Sequence, residues 1–287
     1  MGSILAVALP AAFAGAIAIA ITVLIERKGG LVGGLLGTLP TTIVPAAIGI
    51  LSQTPDVEAF RVAMYATPVG MLVNSLFLWT WRALPPRLPQ ISNLGRLGLM
   101  VLGSLTVWAA GAAFALRVLT PIRSDPRLAL GIGVTGTSAL VVVGVFACLR
   151  NPPAPRGHRR VSPTMLVARG LVAAAAIGSA IVLAKVGGPV AAGLAAVFPA
   201  LFLTSMVSLW FSQGEAVQGG AVGPMMLGSG SVAAFAMAAA WALPALGLVA
   251  GTVVSWAAAV CLITAPAAWW LQRRVRPVPA RTPRPRR

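Results

Sequence analysis

The sequence predicts an all-α, polytopic membrane protein of about nine transmembrane helices, built as two inverted four-helix repeats joined by a linker helix. Three observations carry that prediction. First, 58% of the 287 residues are hydrophobic and only 9% are charged, with a mean hydropathy of +0.90. A soluble domain carries about a quarter charged residues, so this chain has too little polar surface to cover itself in water. Second, apolar runs of about 20 residues, long enough to cross ~30 Å of hydrocarbon, recur along the whole chain. Third, the chain contains itself twice, at an offset of about 156 to 160 residues.

The first copy reads GGLLGTLP (Gly33 to Pro40), Ser52-Gln53, Glu58, Pro68 and WRALP (Trp81 to Pro85). The second reads AGLAAVFP (Ala192 to Pro199), Ser212-Gln213, Glu215, Pro224 and WALP (Trp241 to Pro244). Internal repeats in a membrane chain mark carriers built from two related halves.

Every span is expected to be helical, because a bilayer offers no partner for an unpaired backbone group. The first covers 3–25. No positive side chain precedes its apolar run, so it reads as a retained helix rather than a cleaved signal. It ends in ERKGG (Glu26 to Gly30), matched by AKVGG (Ala184 to Gly188) in the second copy. Spans 31–52, 62–82 and 96–118 complete the first copy, and a Pro- and Arg-rich loop (83–95) separates the last two. The fifth span, 127–149, belongs to neither copy, and 164–184, 189–212, 217–242 and 246–271 form the second. The organisation is therefore a first repeat (1–118), a linker helix with its loop (119–163), a second repeat (164–272) and a disordered Arg/Pro-rich tail (273–287). A single crossing between the copies makes the second enter from the opposite side, which inverts it about a pseudo-two-fold axis in the membrane plane.

Charge sets the orientation. Five acids (Glu26, Asp56, Glu58, Asp125, Glu215) stand against 22 Lys and Arg, for a net charge of +17. The arginines sit in loops and in the tail, where positive-inside charge belongs, and not on a folded face interleaved with aromatics as nucleic-acid binding requires. Seven arginines between 273 and 287 place the C-terminus in the cytoplasm. The 26–30, 83–95 and 150–163 loops follow it, and the N-terminus lies outside. The 119–126 loop, flanked by Arg117, Arg123 and Arg127, departs from the bias. The expected location is a bacterial cytoplasmic (inner) membrane. The expected partners are the lipid bilayer, with anionic headgroups drawn to the tail, and a small-molecule solute.

Nothing indicates an enzyme, a cofactor or a metal. The single histidine, His158, lies among arginines with no acid nearby, and no set of nucleophile, base and orienting group is present. Cys148 and Cys261 fall within apolar runs without ligand spacing. GIGVTGTS (Gly131 to Ser138) lacks the lysine of a phosphate loop. Lys185 falls at a membrane edge, which argues against retinal binding.

The candidate site lies where the two copies interrupt their own helices. Pro40 and Pro45 fall in the second span, Pro68 in the third, Pro199 in the seventh and Pro224 in the eighth. Proline removes an intrahelical hydrogen bond and frees a carbonyl, which in a membrane must find protein, water or solute. Thr41, Thr42, Tyr65, Asn74, Thr204, Ser205 and Ser229 are the polar side chains near these interruptions. The site is expected at the interface of spans two, three, seven and eight, near the midplane. Packing is the competing reading, since Ser and Thr bond back to their own helices and Gly and Pro are common in membrane helices. Glu58 and Glu215, each just ahead of a span, read as an ion relay or as acids complementing a helix dipole. Trp79, Trp81, Trp269 and Trp270 are expected in the inner interfacial belt, and Trp108 and Trp256 nearer mid-span, filling the core or lining a cavity; Arg61 and Arg169, near span starts, are expected to reach the headgroups.

The run Ala192, Gly193, Leu194, Phe198, Pro199, Gly214, Glu215 resembles the GlpM-like family of small bacterial inner-membrane proteins over roughly 164–271. The first copy keeps Gly34, Leu35 and Pro40 but has Leu39 for Phe and Pro55, Asp56 and Glu58 where the Gly-Glu element would stand. The resemblance implies a duplicated four-helix unit and carries over no catalytic residues. The architecture is also similar to that of drug/metabolite carriers, whose large members are fused inverted halves. The expected function is a secondary transporter or permease for a small neutral or amphipathic solute. The alternatives are a non-transporting scaffold or accessory subunit of an envelope complex, and a lipid flippase.

Overall fold

The computed structural model describes residues 2–28, 39–121, 125–150, 163–213 and 215–274, and the regular structure among them is entirely helical. The helices are α1 (Gly2–Lys28), α2 (Ile43–Gln53), α3 (Val57–Ala83), α4 (Asn93–Leu119), α5 (Pro126–Leu149), α6 (Pro163–Val186), α7 (Pro189–Ala195), α8 (Ala200–Gln213), α9 (Glu215–Ala259) and α10 (Ala265–Arg274). A π-turn (Val260–Thr264) joins the last two. Six stretches among the described residues are long and apolar enough to cross a bilayer, as expected of an integral membrane protein. The Gly33–Thr38 motif, His158 and its loop, Arg123 and the tail beyond Arg274 lie outside the described residues; Arg273 and Arg274, expected in the disordered tail, instead end α10.

Short polar side chains start the helices. Asp56 accepts a hydrogen bond from Ala59 N at 2.7 Å, Ser92 from Gly95 N at 3.2 Å, and Asp125 from Arg127 N and Leu128 N at 2.9 and 3.1 Å. Each satisfies N–H groups that a helix leaves unpaired at its first turn.

Small residues set the packing. Gly136 faces Pro68 and Gly133 faces the carbonyl of Tyr65, so α3 and α5 run parallel. Gly193 lies against Ala63 and Ala66, and Gly70 against Val197, so α7 also runs parallel to α3. Gly133 meets Met237 and Gly144 meets Leu227, a descending register that makes the first part of α9 antiparallel to α5. Gly15 against Gly170 and Ala11 against Gly178 make α1 antiparallel to α6. At Gly15, Gly144 and Gly193 backbone approaches backbone directly, and elsewhere a side chain fills the space the glycine leaves; such close packing drives association where lipid removes the hydrophobic driving force.

Helix α9 is two segments. At Gly247 the backbone turns to φ 79° and ψ 176°, a conformation open essentially to glycine alone. The chain then folds back, with Gly251 against Ala242 and Leu243, and Gly230 against Ile263.

Helix α3 is the hub. Its most apolar stretch is 72% buried, against 17% for α4, whose outer face is left for lipid. It packs on α4, α5, α7 and α9. Helix α5 packs against both α3 and α9, which also pack on each other, so the three helices form one mutually contacting group. One core cluster gathers α2, α3, α7 and α9 around Ile43, Ile50, Phe60, Met64 and Phe235. A second, at the C-terminal end of α3, gathers Phe77, Trp81, Met100, Met206 and Trp210.

Two expectations are corrected here. Trp81 is not in the interfacial belt: it is 1% exposed and meets Trp210 edge-on, with ring centroids 6.5 Å apart. Trp256 is not interior but 38% exposed, because α9 beyond Gly247 lies on the periphery.

Candidate functional site

The apolar stretch Pro189–Phe211 is interrupted locally. Helix α7 ends at Ala195, α8 begins at Ala200, and tight turns join them: Val197 N donates to Leu194 O (3.3 Å), Phe198 N to Ala195 O (3.0 Å) and Ala200 N to Phe198 O (2.7 Å). Pro199 has no N–H to continue the ladder, so the helix restarts one residue later. The Val197 carbonyl is left beside α3.

Asn74 meets it. The Asn74 side chain is 2% exposed; its Nδ2 donates to Val197 O at 2.7 Å, and its Oδ1 accepts from Trp108 Nε1 of α4 at 2.8 Å. The Trp108 ring stands edge-on to Phe198, with centroids 5.0 Å apart and planes at 83°. One carboxamide thus ties α3, α4 and the break between α7 and α8. An apolar seam leads away from this knot along Val73, Leu194 and Ala66. It ends at a cleft of about 20 Å³, room for one water, lined by Tyr65, Val62, Leu119, Ile132 and Val190.

The other predicted polar side chains do not gather at that point. Thr204 is buried and donates to Ala200 O at 2.8 Å; buried Ser229 donates to Met226 O at 2.6 Å. Both bond back into their own helices, as hydroxyls do when no better acceptor is near. Ser205 donates to Leu201 O at 2.6 Å and also accepts from Arg169 Nη2 of α6. Thr42 precedes α2 without a capping bond from its side chain, and Thr41 N donates to Leu39 O at 2.8 Å in the turn before it. Tyr65 is half-buried at the cleft, apart from Asn74 by more than two turns of α3.

The prolines divide in the same way. Pro40 lies in a non-helical turn ahead of α2, as Pro199 does ahead of α8. Pro45 sits in the first turn of α2, where a missing N–H costs nothing. Helices α3 and α9 continue through Pro68 and Pro224. Glu58 is exposed in the first turn of α3 and pairs with Arg61 at 2.5 Å, the dipole-complementing arrangement. The Glu215 side chain lies outside the described residues.

Two groups escaped the reading of the sequence. Trp108 was expected to fill the core or line a cavity, but its N–H also fixes the orientation of Asn74. Arg169, expected to reach the headgroups, turns inward to Ser205 and to Leu201 O (3.5 Å). A tryptophan near mid-span, opposite an asparagine, was the available signal for the first. No family model, curated protein or solved structure matches the chain, so its function rests on the sequence and the geometry.

Proposed function

We propose that the chain is a secondary carrier of a small neutral or amphipathic solute in a bacterial cytoplasmic membrane. Its nine spans form two inverted four-helix repeats. The break between α7 and α8 carries this reading: a chain interruption inside a membrane span, held by a buried polar side chain from the other repeat. Interrupted helices of this kind supply solute and ion sites in carriers with inverted repeats. The helix directions support the inversion. Spans one and six are equivalent in the two copies, and α1 and α6 run antiparallel. Spans three and eight are equivalent, and α3 and the first part of α9 lie on α5 in opposite senses. The turn at Pro40 ahead of α2 is the first-repeat counterpart of the turn at Pro199. The likeness to a duplicated GlpM-like unit and to the drug/metabolite carriers fits the same architecture.

In this arrangement the Asn74 carboxamide occupies the Val197 carbonyl in the closed state, and opening exposes that carbonyl to solute. A second reading, a non-transporting membrane scaffold or accessory subunit, is favoured by one observation. The seams between α3, α5, α7 and α9 are closed by glycine and alanine, and the predicted hydroxyls face their own helices.

Cysteine accessibility separates the two. With Cys148 and Cys261 replaced, a cysteine at Phe198 in a carrier reacts with a membrane-impermeant maleimide added to cells or to inverted vesicles, at a rate that falls when the solute is present. In a scaffold it stays protected from both sides until the protein is denatured. Protection of that kind ends the carrier reading.

A further inference from the structure

We propose that the adjoining C-terminal ends of α3 and α5 form a binding site for the headgroup of one anionic phospholipid. The inference does not depend on whether the protein transports anything. Arg82, in the last turn of α3, donates from Nη1 to Ala147 O of α5 at 3.1 Å, and its guanidinium lies 5.4 Å from the Trp79 ring centroid. Arg150, immediately after α5, lies 4.1 Å from the Phe146 ring centroid. The hydrogen bond to Ala147 brings both guanidinium groups to the same end of the molecule, each steadied on an aromatic face.

Three features point to a phospholipid. The charge is one-sided: Asp56 and Glu58 start α3 and Asp125 starts α5, so the described carboxylates of these two helices lie at their far ends. The aromatic faces are exposed, Trp79 by 37% and Phe146 by 46%. The exposed side chains one turn deeper are apolar, Leu76 on α3 and Val142 on α5. A ligand with a phosphate at the level of the arginines and a hydrocarbon chain descending past Leu76 and Val142 matches that order, and a soluble anion uses only the top of it. The same device recurs at the end of α10, where the Arg273 guanidinium lies 3.8 Å from the Trp269 ring centroid. Span nine returns to this end after the turn at Gly247, so the headgroup level is marked twice. In the orientation proposed above this is the cytoplasmic leaflet, whose anionic lipids attract basic side chains.

Arg82 also supports Ala147 O, so its loss alone would mix packing with binding. Arg150 separates the two, because it stacks on its own helix and makes no described bond across to α3. The experiment follows thermal unfolding of the full chain in dodecyl maltoside with added dioleoyl phosphatidylglycerol, dioleoyl phosphatidylcholine or inorganic phosphate. Phosphatidylglycerol at a hundredfold excess over Kd is expected to raise Tm by about 5 °C. Arg150→Gln should lose at least half of that rise, and Arg82→Gln/Arg150→Gln nearly all of it. Arg127→Gln, at the opposite end of α5, should keep it. An equal rise in wild type and Arg150→Gln overturns the site. An equal rise with phosphatidylcholine removes the role of headgroup charge, and an equal rise with inorganic phosphate makes it a soluble-anion site; either result also overturns the proposal.

Discussion

At the scale of single residues, the buried polar side chains differ in whom they bond. Thr204 and Ser229 are satisfied within their own helices, whereas Asn74 is satisfied by two other elements. Asn74→Leu strands the Val197 carbonyl and the Trp108 N–H away from water. Interhelical hydrogen bonds in membranes are modest, about 0.6 kcal/mol on average and at most ~1.7, but an unsatisfied buried group costs about 1–3 kcal/mol. Asn74→Leu is therefore expected to destabilise by about 2 kcal/mol in reversible unfolding from bicelles. Thr204→Val and Ser229→Ala should change stability by less than about 0.5 kcal/mol. A double-mutant cycle on Asn74→Ala and Trp108→Phe should show coupling; strict additivity would mean that the hydrogen bond between them contributes nothing. The sequence marked Asn74 as polar and near an interruption. It did not say which carbonyl Asn74 would meet, because that acceptor lies 123 residues away.

At the scale of elements, glycine decides how close two helices come. A Cβ at Gly193 would strike the Ala63 carbonyl, and one at Gly144 would lie 2.5 Å from Leu227 Cα. In both cases the obstacle is backbone, which cannot rotate aside. Gly193→Ala and Gly144→Ala are expected to destabilise by about 1–3 kcal/mol, the usual cost of overpacking. Gly98 and Gly131 meet nothing within 4 Å, so alanine there should be neutral or raise stability by up to about 1 kcal/mol through helix propensity. If all four behave alike, close backbone contact is not what holds the bundle. Gly247→Ala forces a φ of 79° on a residue with a Cβ and should cost about 1–3 kcal/mol, read as a lower Tm. The positions of the helices were legible as apolar runs bounded by Pro, Gly and charge. Which prolines interrupt was not. Pro68 and Pro224 lie inside helices that continue through them, whereas Pro199 coincides with a turn that α3 stabilises through Asn74.

At the scale of the molecule, inversion makes one prediction that needs no solute. Reporter fusions after Arg150 and at the C-terminus should both report the cytoplasmic side, and a fusion at the N-terminus the opposite side. Both termini on one side would remove the two-fold relation and with it the carrier reading. The sequence by itself determined the class: a chain this apolar and this poor in charge must satisfy its backbone inside a bilayer, and only helices do so span by span. The charge bias is likewise written in the order of residues. Tertiary structure alone decided that α5 packs against both α3 and α9, that Trp81 is core and Trp256 periphery, and that one asparagine closes the break at Pro199. These outcomes depend on which faces meet. Every face of these helices is apolar, so hydropathy cannot rank them, and close backbone approach at a few glycines makes the choice instead.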